Sequence, residues 1–167
     1  MYDELTEEDI RKMKEEIAYR KNTVHQEVIH DLQAARAQGD LSENFEYYAA
    51  KKANGRNNSR IRYLENMIKT AKIIRDDSAP DTVGLNNTVT IVADDDGKEE
   101  VWRIVTTVRQ NIMKGLIGID SPAAKALVGH KAGDTVTVKV SPDYEYDVRI
   151  IRIDKTTDET GDRINSY

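Results

Sequence analysis

The first half of the chain alternates apolar and polar residues with the period of an α-helix. Residues 6–38 contain neither Gly nor Pro, and apolar side chains recur in them every three or four positions. The same spacing returns within residues 42–74. The pattern predicts two helices of about 30 residues, each roughly 45 Å long. The apolar positions are Ile10, Met13, Ile17, Val24, Val28, Leu32 and Ala35 in the first helix, and Ile61, Leu64, Ile68 and Ala71 in the second.

Start and stop signals mark the ends of these helices. Thr6 occupies the expected N-cap position of the first helix, with Asp9 at its third helical position. Gly39 follows the last periodic residue, where a left-handed C′ glycine ends many helices. Ser42 is predicted to cap the second helix. Because the connection is so short, the two helices must be antiparallel neighbours.

Polar residues interrupt the apolar stripe near the middle of the second helix. The equivalent positions there are Ala50, Asn54 and Asn57, and Arg20 interrupts the first helix. Periodicity alone is compatible with a structural coiled-coil hairpin or with a dimerisation device. The polar positions weaken both interpretations, since a purely structural coiled coil normally keeps its apolar knobs.

The period changes from 3.6 to 2 in the second half of the chain, which predicts strands. We expect strands at 88–92, 100–108, 135–140 and 144–153, with a hairpin turn at 93–98. Ser121 and Pro122 mark the start of a short helix that Gly129 ends. The predicted fold class is α+β, with a long helical hairpin followed by a small antiparallel sheet and one helix. The expected domains are 1–75 (hairpin), 76–86 (linker), 87–155 (second domain) and 156–167 (a polar, disordered tail).

Composition excludes several classes of protein. The chain has no cysteine, so disulfides, thiolate nucleophiles and cysteine zinc sites are absent. No apolar run has the length of a signal peptide or of a transmembrane span of about 20 residues. These features predict a soluble cytoplasmic protein with no membrane partner.

The charge of the chain is unevenly distributed. The whole chain carries a net charge of −5, yet residues 51–75 hold eight Lys and Arg against one Glu. A basic segment within an acidic protein favours a polyanionic partner without indiscriminate coating of nucleic acid.

The predicted turn between the two helices carries closely spaced carboxylates. Asp40 and Glu43 are three residues apart, and Glu46 lies one helical turn further on. Mg²⁺ in proteins often takes only one or two carboxylates and fills its shell with water and phosphate oxygens. The alternative is that these acids only complement the helix dipole, with Asp40 as a turn residue. Spacing alone leaves both interpretations open.

Two sequence segments resemble the signatures of one known family. Residues 35–51 read ARAQGDLSENFEYYAAK, and residues 119–129 read IDSPAAKALVG, followed by KAGD at 131–134. Both are similar to motifs of the bacterial Gre transcript-cleavage factors (GreA/GreB), with GreA the nearer of the two. The resemblance extends from about residue 6 to residue 154, in the domain order of the family.

This resemblance implies a fold and an activity. The expected fold is an N-terminal antiparallel coiled coil and a C-terminal FKBP-like domain. The C-terminal domain would dock on the RNA polymerase core through Asp120, Ser121 and Pro122, while the coiled coil enters the secondary channel. There Asp40 and Glu43 would help to hold a second Mg²⁺ shared with the polymerase, which then cleaves the backtracked RNA near its 3′ end. The chain itself would be a monomer, not an enzyme, and would bind no cofactor alone.

The resemblance also implies roles for residues near the turn. The residues that match the element around the acids are Asn44, Glu46 and Tyr47, and those placed to face the RNA are Arg36, Lys51, Lys52 and Arg56. The first helix lacks the usual glycine and leucine arrangement of the family, and the polar tail is longer. Two other functions therefore stay open: a non-catalytic regulator that binds the same channel, and a coiled-coil adaptor unrelated to transcription.

Overall fold

The computed structural model describes residues 3–39, 44–155 and 158–166. The chain divides into two compact units. The first consists of Met1–Asp3 and Ile10–Ala71, and the second combines Glu4–Asp9 with Lys72–Tyr167. The short segment Glu4–Asp9 therefore packs with residues that follow it by more than sixty positions.

Helices make up most of the first unit. They are α1 (Glu7–Tyr19), α2 (His25–Arg36) and α3 (Phe45–Thr70), with one π-helical turn at Arg20–Val24 between α1 and α2. The backbone stays right-handed helical at Tyr19 and Val24, so α1, the π-turn and α2 form one continuous helix. The first predicted helix is confirmed, apart from the π-turn. None of the described helices is long and apolar enough to cross a bilayer.

The predicted cap of the first helix is also confirmed. The Thr6 hydroxyl accepts a hydrogen bond from the Asp9 amide at 3.2 Å, and the Thr6 amide donates to Asp9 Oδ2 at 3.0 Å. This reciprocal pair satisfies two backbone donors that the helix cannot satisfy internally. Both residues are buried within the second unit.

A polar layer joins the antiparallel helices of the first unit. Arg60 donates to both oxygens of Glu16, at 2.7 Å and 3.1 Å, and Arg20 donates to Glu16 Oε2 at 2.7 Å. Arg60 is only 5% exposed. One carboxylate therefore accepts charged hydrogen bonds from both helices, and this layer favours a single register between them.

The same layer explains the polar residue at position 57. Asn57, 2% exposed, donates from Nδ2 to the Arg20 carbonyl at 3.2 Å and accepts from the Arg20 guanidinium at 3.2 Å. The Arg20 carbonyl lies at the start of the π-turn, where it also accepts from the His25 amide. An apolar residue at 57 would leave this backbone oxygen with one fewer partner.

The second helix is shorter at both ends than its pattern predicts. Its N-cap is Asn44 rather than Ser42, and it ends at Thr70 because Ala71 is extended. The next two residues form β2 (Lys72–Ile73), which pairs in parallel with β1 (Glu4–Leu5). Two-residue strands carry no periodic signal, so the sequence pattern does not separate them from the helix.

The second unit contains a five-stranded sheet covered by one short helix. The strand order is β5-β4-β3-β7-β6. The elements are β3 (Thr88–Ala93), β4 (Glu99–Val105), β5 (Leu116–Gly118), α4 (Pro122–Leu127), β6 (Thr135–Ser141) and β7 (Tyr144–Asp154), with 3-10 turns at Thr107–Arg109 and Ile112–Lys114. The mixed α+β class is confirmed.

The prediction of a wholly antiparallel sheet is wrong at one edge. β5 pairs in parallel with β4, with Ile104 opposite Ile117. This three-residue strand follows Gly115, whose φ of 72° reverses the chain after a 3-10 turn. Such a short strand lies below the length at which alternation becomes visible.

The core of the second unit lies between the sheet and α4. Its members are apolar residues at alternate strand positions and on the inner face of the helix. They are Val83, Val89, Ile91, Ile104, Ala124, Leu127, Val136, Val138, Val148 and Ile150.

The described part of the polar tail differs from the predicted disorder. Residues 158–166 pack along the second unit, and the Asn165 amide donates to the Val108 carbonyl at 2.8 Å. Asp162 forms ion pairs with Arg103 and Arg109. Disorder was expected because the segment has little apolar area, but buried arginines supply partners that composition does not reveal. Residues 156, 157 and 167 lie outside the described residues.

We predict that Glu16→Gln destabilises the first unit. Burial raises the pKa of Glu16, but hydrogen bonds and charges from Arg60 and Arg20 outweigh it and lower the pKa below 4.5. The carboxylate therefore stabilises the fold above its unfolded-state pKa, and this contribution is lost as the pH falls through the lower folded-state value. Urea unfolding should show a loss of about 1.5–3 kcal/mol at pH 7, and a smaller loss of stability on acidification than in the wild type.

Glu15→Gln is the matched control. It removes the same charge one residue away, where the pair with Arg11 is exposed on both sides. Its effect should stay within about 0.5 kcal/mol. Equal losses for the two substitutions would contradict a special role for the polar layer.

Candidate functional site

The helix that leads to the acidic turn ends at a left-handed glycine. After α2, the amides of Ala37, Gln38 and Gly39 donate to carbonyls of the last helical turn at 3.2–3.3 Å. Gly39 has a φ of +104°, and a Cβ built on it would meet no atom within 4 Å. Glycine is therefore needed here for its backbone conformation and not for space, as predicted.

Asn44 connects the two helices on the far side of the turn. Its Oδ1 accepts from the Tyr47 amide at 3.0 Å, which caps α3. Its Nδ2 donates to the Ala35 carbonyl in the last turn of α2 at 2.7 Å. One amide side chain thus uses its acceptor for one helix and its donor for the other.

Two further contacts cross the same turn. Gln38 Nε2 donates to Glu46 Oε2 at 2.8 Å. The Arg36 guanidinium lies 5.8 Å from the centre of the Tyr47 ring, a cation–π contact. Phe45, in contrast, is 87% exposed. Glu46 and Tyr47 therefore connect the start of α3 to the residues at the end of α2.

The two predicted metal ligands, Asp40 and Glu43, lie outside the described residues. Only residues 40–43 separate Gly39 from Asn44. The contacts of Asn44, Gln38 and Arg36 fix the ends of this four-residue connection. Among the described residues, no group of three His, Asp or Glu side chains is arranged to hold a metal ion.

The predicted RNA-facing basic residues lie on the first turns of α3 and at the end of α2. Arg36, Lys51, Lys52 and Arg56 are all exposed. Lys52 and Arg56 are four residues apart and share one face of α3, whereas Lys51 lies about 100° around the helix from Lys52. None of the ion pairs within the described chain involves Lys51, Lys52 or Arg56. Their charge is available to a polyanion on two sides of the helix.

A second candidate surface surrounds the start of α4 in the second unit. Ser121 Oγ accepts from the Ala124 amide at 3.1 Å, and Pro122 occupies the first turn, as the sequence predicts. The Ser121 amide donates to the Gly118 carbonyl at 2.9 Å, which ties the cap to β5. Asp120 is exposed immediately before this cap. The three predicted docking residues therefore share one rigid corner.

A groove of about 360 Å³ lies beside this corner. Ser121, Pro122 and Ala123 form one wall, and side chains of four strands form the floor. The apolar residues of the floor and rim are Trp102, Ile112, Ile117, Val138 and Val140. The rim is exposed, with Ile112 86% accessible and its neighbour Met113 95% accessible. Exposed apolar side chains around a concave surface are typical of a protein docking site.

Polar groups at one end of the groove are fixed. The Trp102 indole donates from Nε1 to Glu100 Oε2 at 3.0 Å. Burial raises the pKa of the Tyr146 hydroxyl, and the charges of Tyr144, Glu100 and Asp95 raise it further. Tyr146 therefore remains protonated well above neutral pH and presents a hydrogen-bond donor to the groove.

Both halves of the chain match one family of sequences. Residues 4–73 match the profile described as transcription elongation factor, N-terminal, and residues 77–155 match that of transcription elongation factor GreA/GreB, C-terminal. The chain belongs to the GreA/GreB family of transcription elongation factors. The family predicted from residues 35–51 and 119–134 is thereby confirmed.

Curated relatives of this Gre factor carry the same designation. Transcription elongation factor GreA of Bacillus subtilis is 42% identical over 149 residues, which cover 89% of this chain and 94% of that protein. GreA of Geobacillus kaustophilus is 42% identical over 150 residues, with the same coverage. The chain is therefore a Gre-type transcription elongation factor, and an inhibitory paralogue is not favoured.

Solved structures of related factors are more distant. A structure of the transcription factor Gfh1 is 24% identical, with a TM-score of 0.45 over 92% of this chain and 97% of that one. Gfh1 of Thermus thermophilus is also 24% identical, with a TM-score of 0.42 over 92% of this chain and 99% of that one.

The sequence pattern did not identify every residue that shapes these surfaces. Gln38 and Ala35 lie within the motif at residues 35–51, but the sequence did not predict their contacts with Glu46 and Asn44. Trp102, Ile117 and Tyr146 meet in the groove only because β4, β5 and β7 belong to one sheet. The alternating pattern of β4 and β7 predicted that Trp102 and Tyr146 lie on strand faces. Ile117 was not predicted to line the groove because strand β5 was not predicted.

We predict that Asn44→Ala destabilises the tip of this Gre factor. The substitution removes both the cap on α3 and the hydrogen bond to the Ala35 carbonyl. The free energy of unfolding should fall by about 1–2 kcal/mol, and the Tyr47 amide should exchange with solvent faster. Asn44→Asp keeps the cap acceptor but loses the donor, so its effect should be intermediate. The control is Asn66→Ala, an exposed substitution within α3, which should leave the free energy of unfolding unchanged or slightly raise it. A fall as large as that of Asn44→Ala would contradict the role of the cap.

Proposed function

We propose that this chain binds RNA polymerase and stimulates cleavage of backtracked transcripts. In this proposal the antiparallel helices of the first unit act as a coiled-coil hairpin that enters the secondary channel. Asp40 and Glu43, at its tip, complete a site for the second Mg²⁺ near the RNA 3′ end. The observation that carries the proposal is the bond from Asn44 to the Ala35 carbonyl, which ties α2 to α3 across nine sequence positions, with both acids between the two residues.

The donor set agrees with this role. Two carboxylates three residues apart suit Mg²⁺, a hard cation that keeps water and phosphate oxygens in its shell. They are too few to hold the ion without other ligands, so the polymerase must contribute the remainder. When bound, the metal would help to activate water and to stabilise the leaving oxygen in phosphodiester hydrolysis. The chain alone is then inactive toward RNA, and the cleavage activity belongs to the polymerase.

The basic residues near the tip support contact with RNA. Lys51, Lys52 and Arg56 are exposed within the first three turns of α3, about 10–18 Å along the helix from Asn44. Lys and Arg without carboxylate partners neutralise phosphates and release counterions. We infer that they hold the displaced 3′ segment of the RNA beside the acidic tip.

The second unit supplies the docking surface in this proposal. We assign it as an FKBP-like domain whose groove, beside Asp120, Ser121 and Pro122, receives an element of the polymerase at the rim of the channel. The exposed apolar rim at Ile112 and Met113 supports an apolar contact. Asp120 adds a charge at the edge, where it favours orientation and rate of association more than affinity. The factor acts as a monomer in the cytoplasm.

Removal of the two acids should abolish stimulated cleavage without abolishing binding. Arrested elongation complexes incubated with Mg²⁺ and wild-type factor should release short 3′ RNA fragments. Asp40→Ala/Glu43→Ala should reduce the rate of release at saturating factor by at least about 100-fold, because the metal loses both ligands from this chain. The affinity for polymerase should change by less than about threefold, since binding rests on the second unit.

Glu27→Ala is the control for charge, because Glu27 is exposed on α2 away from the turn. It should cleave at the wild-type rate. Cleavage by the double variant at the wild-type rate would overturn the proposal. Inhibition of nucleotide addition by the wild-type factor, without any RNA release, would support a non-catalytic regulator instead.

Substitutions at the corner formed by Asp120, Ser121 and Pro122 should weaken polymerase binding without reducing cleavage at saturating factor. Asp120→Ala and Pro122→Ala should each raise the Kd for polymerase by about tenfold or more. Cleavage should recover at saturating factor, because the acidic tip is unchanged. Asp143→Ala, on the β6–β7 turn, should leave the Kd unaltered; an equal loss of affinity in this control would show that the corner is not the docking site.

A further inference from the structure

The described tail surrounds a fully buried arginine. Arg109 has no exposed side-chain surface, and neither has its partner Asp9, whose Oδ1 lies 2.7 Å from Arg109 Nε. Thr106 Oγ accepts from the same Nε at 3.1 Å and donates to Asp9 Oδ2 at 2.7 Å. A buried guanidinium is costly unless carboxylates and hydrogen-bond acceptors surround it. One carboxylate, from the start of α1, meets this need only in part.

Two tail carboxylates add opposite charge around this guanidinium. Asp162 Oδ2 lies 2.7 Å from Arg109 Nη1 and also pairs with Arg103. Glu159 Oε2 lies 3.0 Å from Arg109 Nη2. The cluster thus sets Asp9, Glu159 and Asp162 against Arg103 and Arg109. Without the tail, the acids of the cluster would be reduced to Asp9, which already pairs with Arg109, and Arg103 would lose its carboxylate.

Glu159 also contacts the first turn of α1. Its Oε2 accepts from the Thr6 hydroxyl at 3.1 Å and from Asn86 Nδ2 at 3.0 Å. Asn86 has a φ of +64°, the one positive value among the described non-glycine residues, and this conformation directs its side chain into the cluster. Its Oδ1 accepts from Arg109 Nη1 at 2.9 Å. The tail is therefore linked to the N-cap of the helical arm across 153 sequence positions.

Backbone pairing fixes the end of the tail. The Asn165 amide donates to the Val108 carbonyl at 2.8 Å, and its Nδ2 donates to the Gln110 carbonyl at 3.0 Å. Glu159, Asp162 and Asn165 are spaced three residues apart; the two acids contact the buried cluster, and Asn165 binds the backbone beside it. The family match ends at residue 155, so family membership does not account for this arrangement.

We propose that Arg103, Arg109, Asn86 and Thr6 form a carboxylate-binding cleft whose occupant is the acidic tail segment 158–166 of the same chain. By filling it, the tail latches segment 4–9 onto the rest of the second unit. The tail is a positioning element for segment 4–9 within the second unit. The proposal does not depend on the function of the tip.

Hydrogen–deuterium exchange of the full-length protein tests this latch. In the wild type, amides of segments 4–9 and 158–166 should both be protected. Asp162→Asn removes the carboxylate shared by Arg103 and Arg109, and should speed exchange of both segments by at least about tenfold. A purely local tail contact would speed exchange in the tail alone. Asp143→Asn removes the same charge from an exposed turn of the second unit, and should change neither segment.

The core strands report whether the variant still folds. Amides of β3 and β7 should exchange at the wild-type rate in Asp162→Asn. If Asp162→Asn unfolds the second unit, Glu159→Gln tests the proposal instead. This substitution keeps the acceptor for Thr6 and Asn86 and removes only the charge. Amides of segments 4–9 and 158–166 should then exchange about threefold faster or more than in the wild type. The proposal would be overturned if the tail amides of the wild type exchanged without protection. It would also be overturned if neither substitution changed the exchange rate of segment 4–9.

Discussion

The junction between the end of α2 and the start of α3 centres on the side chain of Asn44. Its two hydrogen bonds, to the Ala35 carbonyl and from the Tyr47 amide, join the end of α2 to the start of α3. An aspartate in this position lacks the donor, and an alanine lacks both groups. The polar layer of Glu16, Arg20, Asn57 and Arg60 fixes the same register about ten helical residues or more from the tip. Together these contacts hold the two helices in one register, and the sequence places Asp40 and Glu43 between them.

Local patterns predicted those features whose causes are themselves local. The period of 3.6 located the helices, and the pairs Thr6–Asp9 and Ser121–Pro122 marked two helix starts, because a cap needs only residues within one turn. The polar layer was visible only as a defect in the apolar stripe. The hydrogen bonds of this layer could not be predicted without the register that brings Arg20 opposite Asn57. The strands β1, β2 and β5 were missed because two or three residues are too few to show alternation.

The sites, like the short strands, could be predicted only where their residues lie close together in sequence. The motif around residues 39–47 identified the acids, yet the contacts of Gln38 with Glu46 and of the Ala35 carbonyl with Asn44 require the two helices to pair. The groove beside α4 needs side chains from several strands, so no single segment contains its signal. The tail illustrates the limit most clearly. Its composition predicts disorder when it is considered alone, but Arg109, about fifty residues earlier, requires the carboxylates of Glu159 and Asp162.

The proposed function divides the roles between the two units, with metal binding by Asp40 and Glu43 and docking through the groove beside α4. The central claim is that the tip supplies metal ligands to the polymerase, and the Mg²⁺ dependence of transcript cleavage tests it most directly. At saturating factor, the wild type should lower the Mg²⁺ concentration for half-maximal RNA release from arrested complexes by about tenfold or more, and Asp40→Ala/Glu43→Ala should not. Identical Mg²⁺ curves with wild-type factor, with the double variant and without factor would contradict the claim.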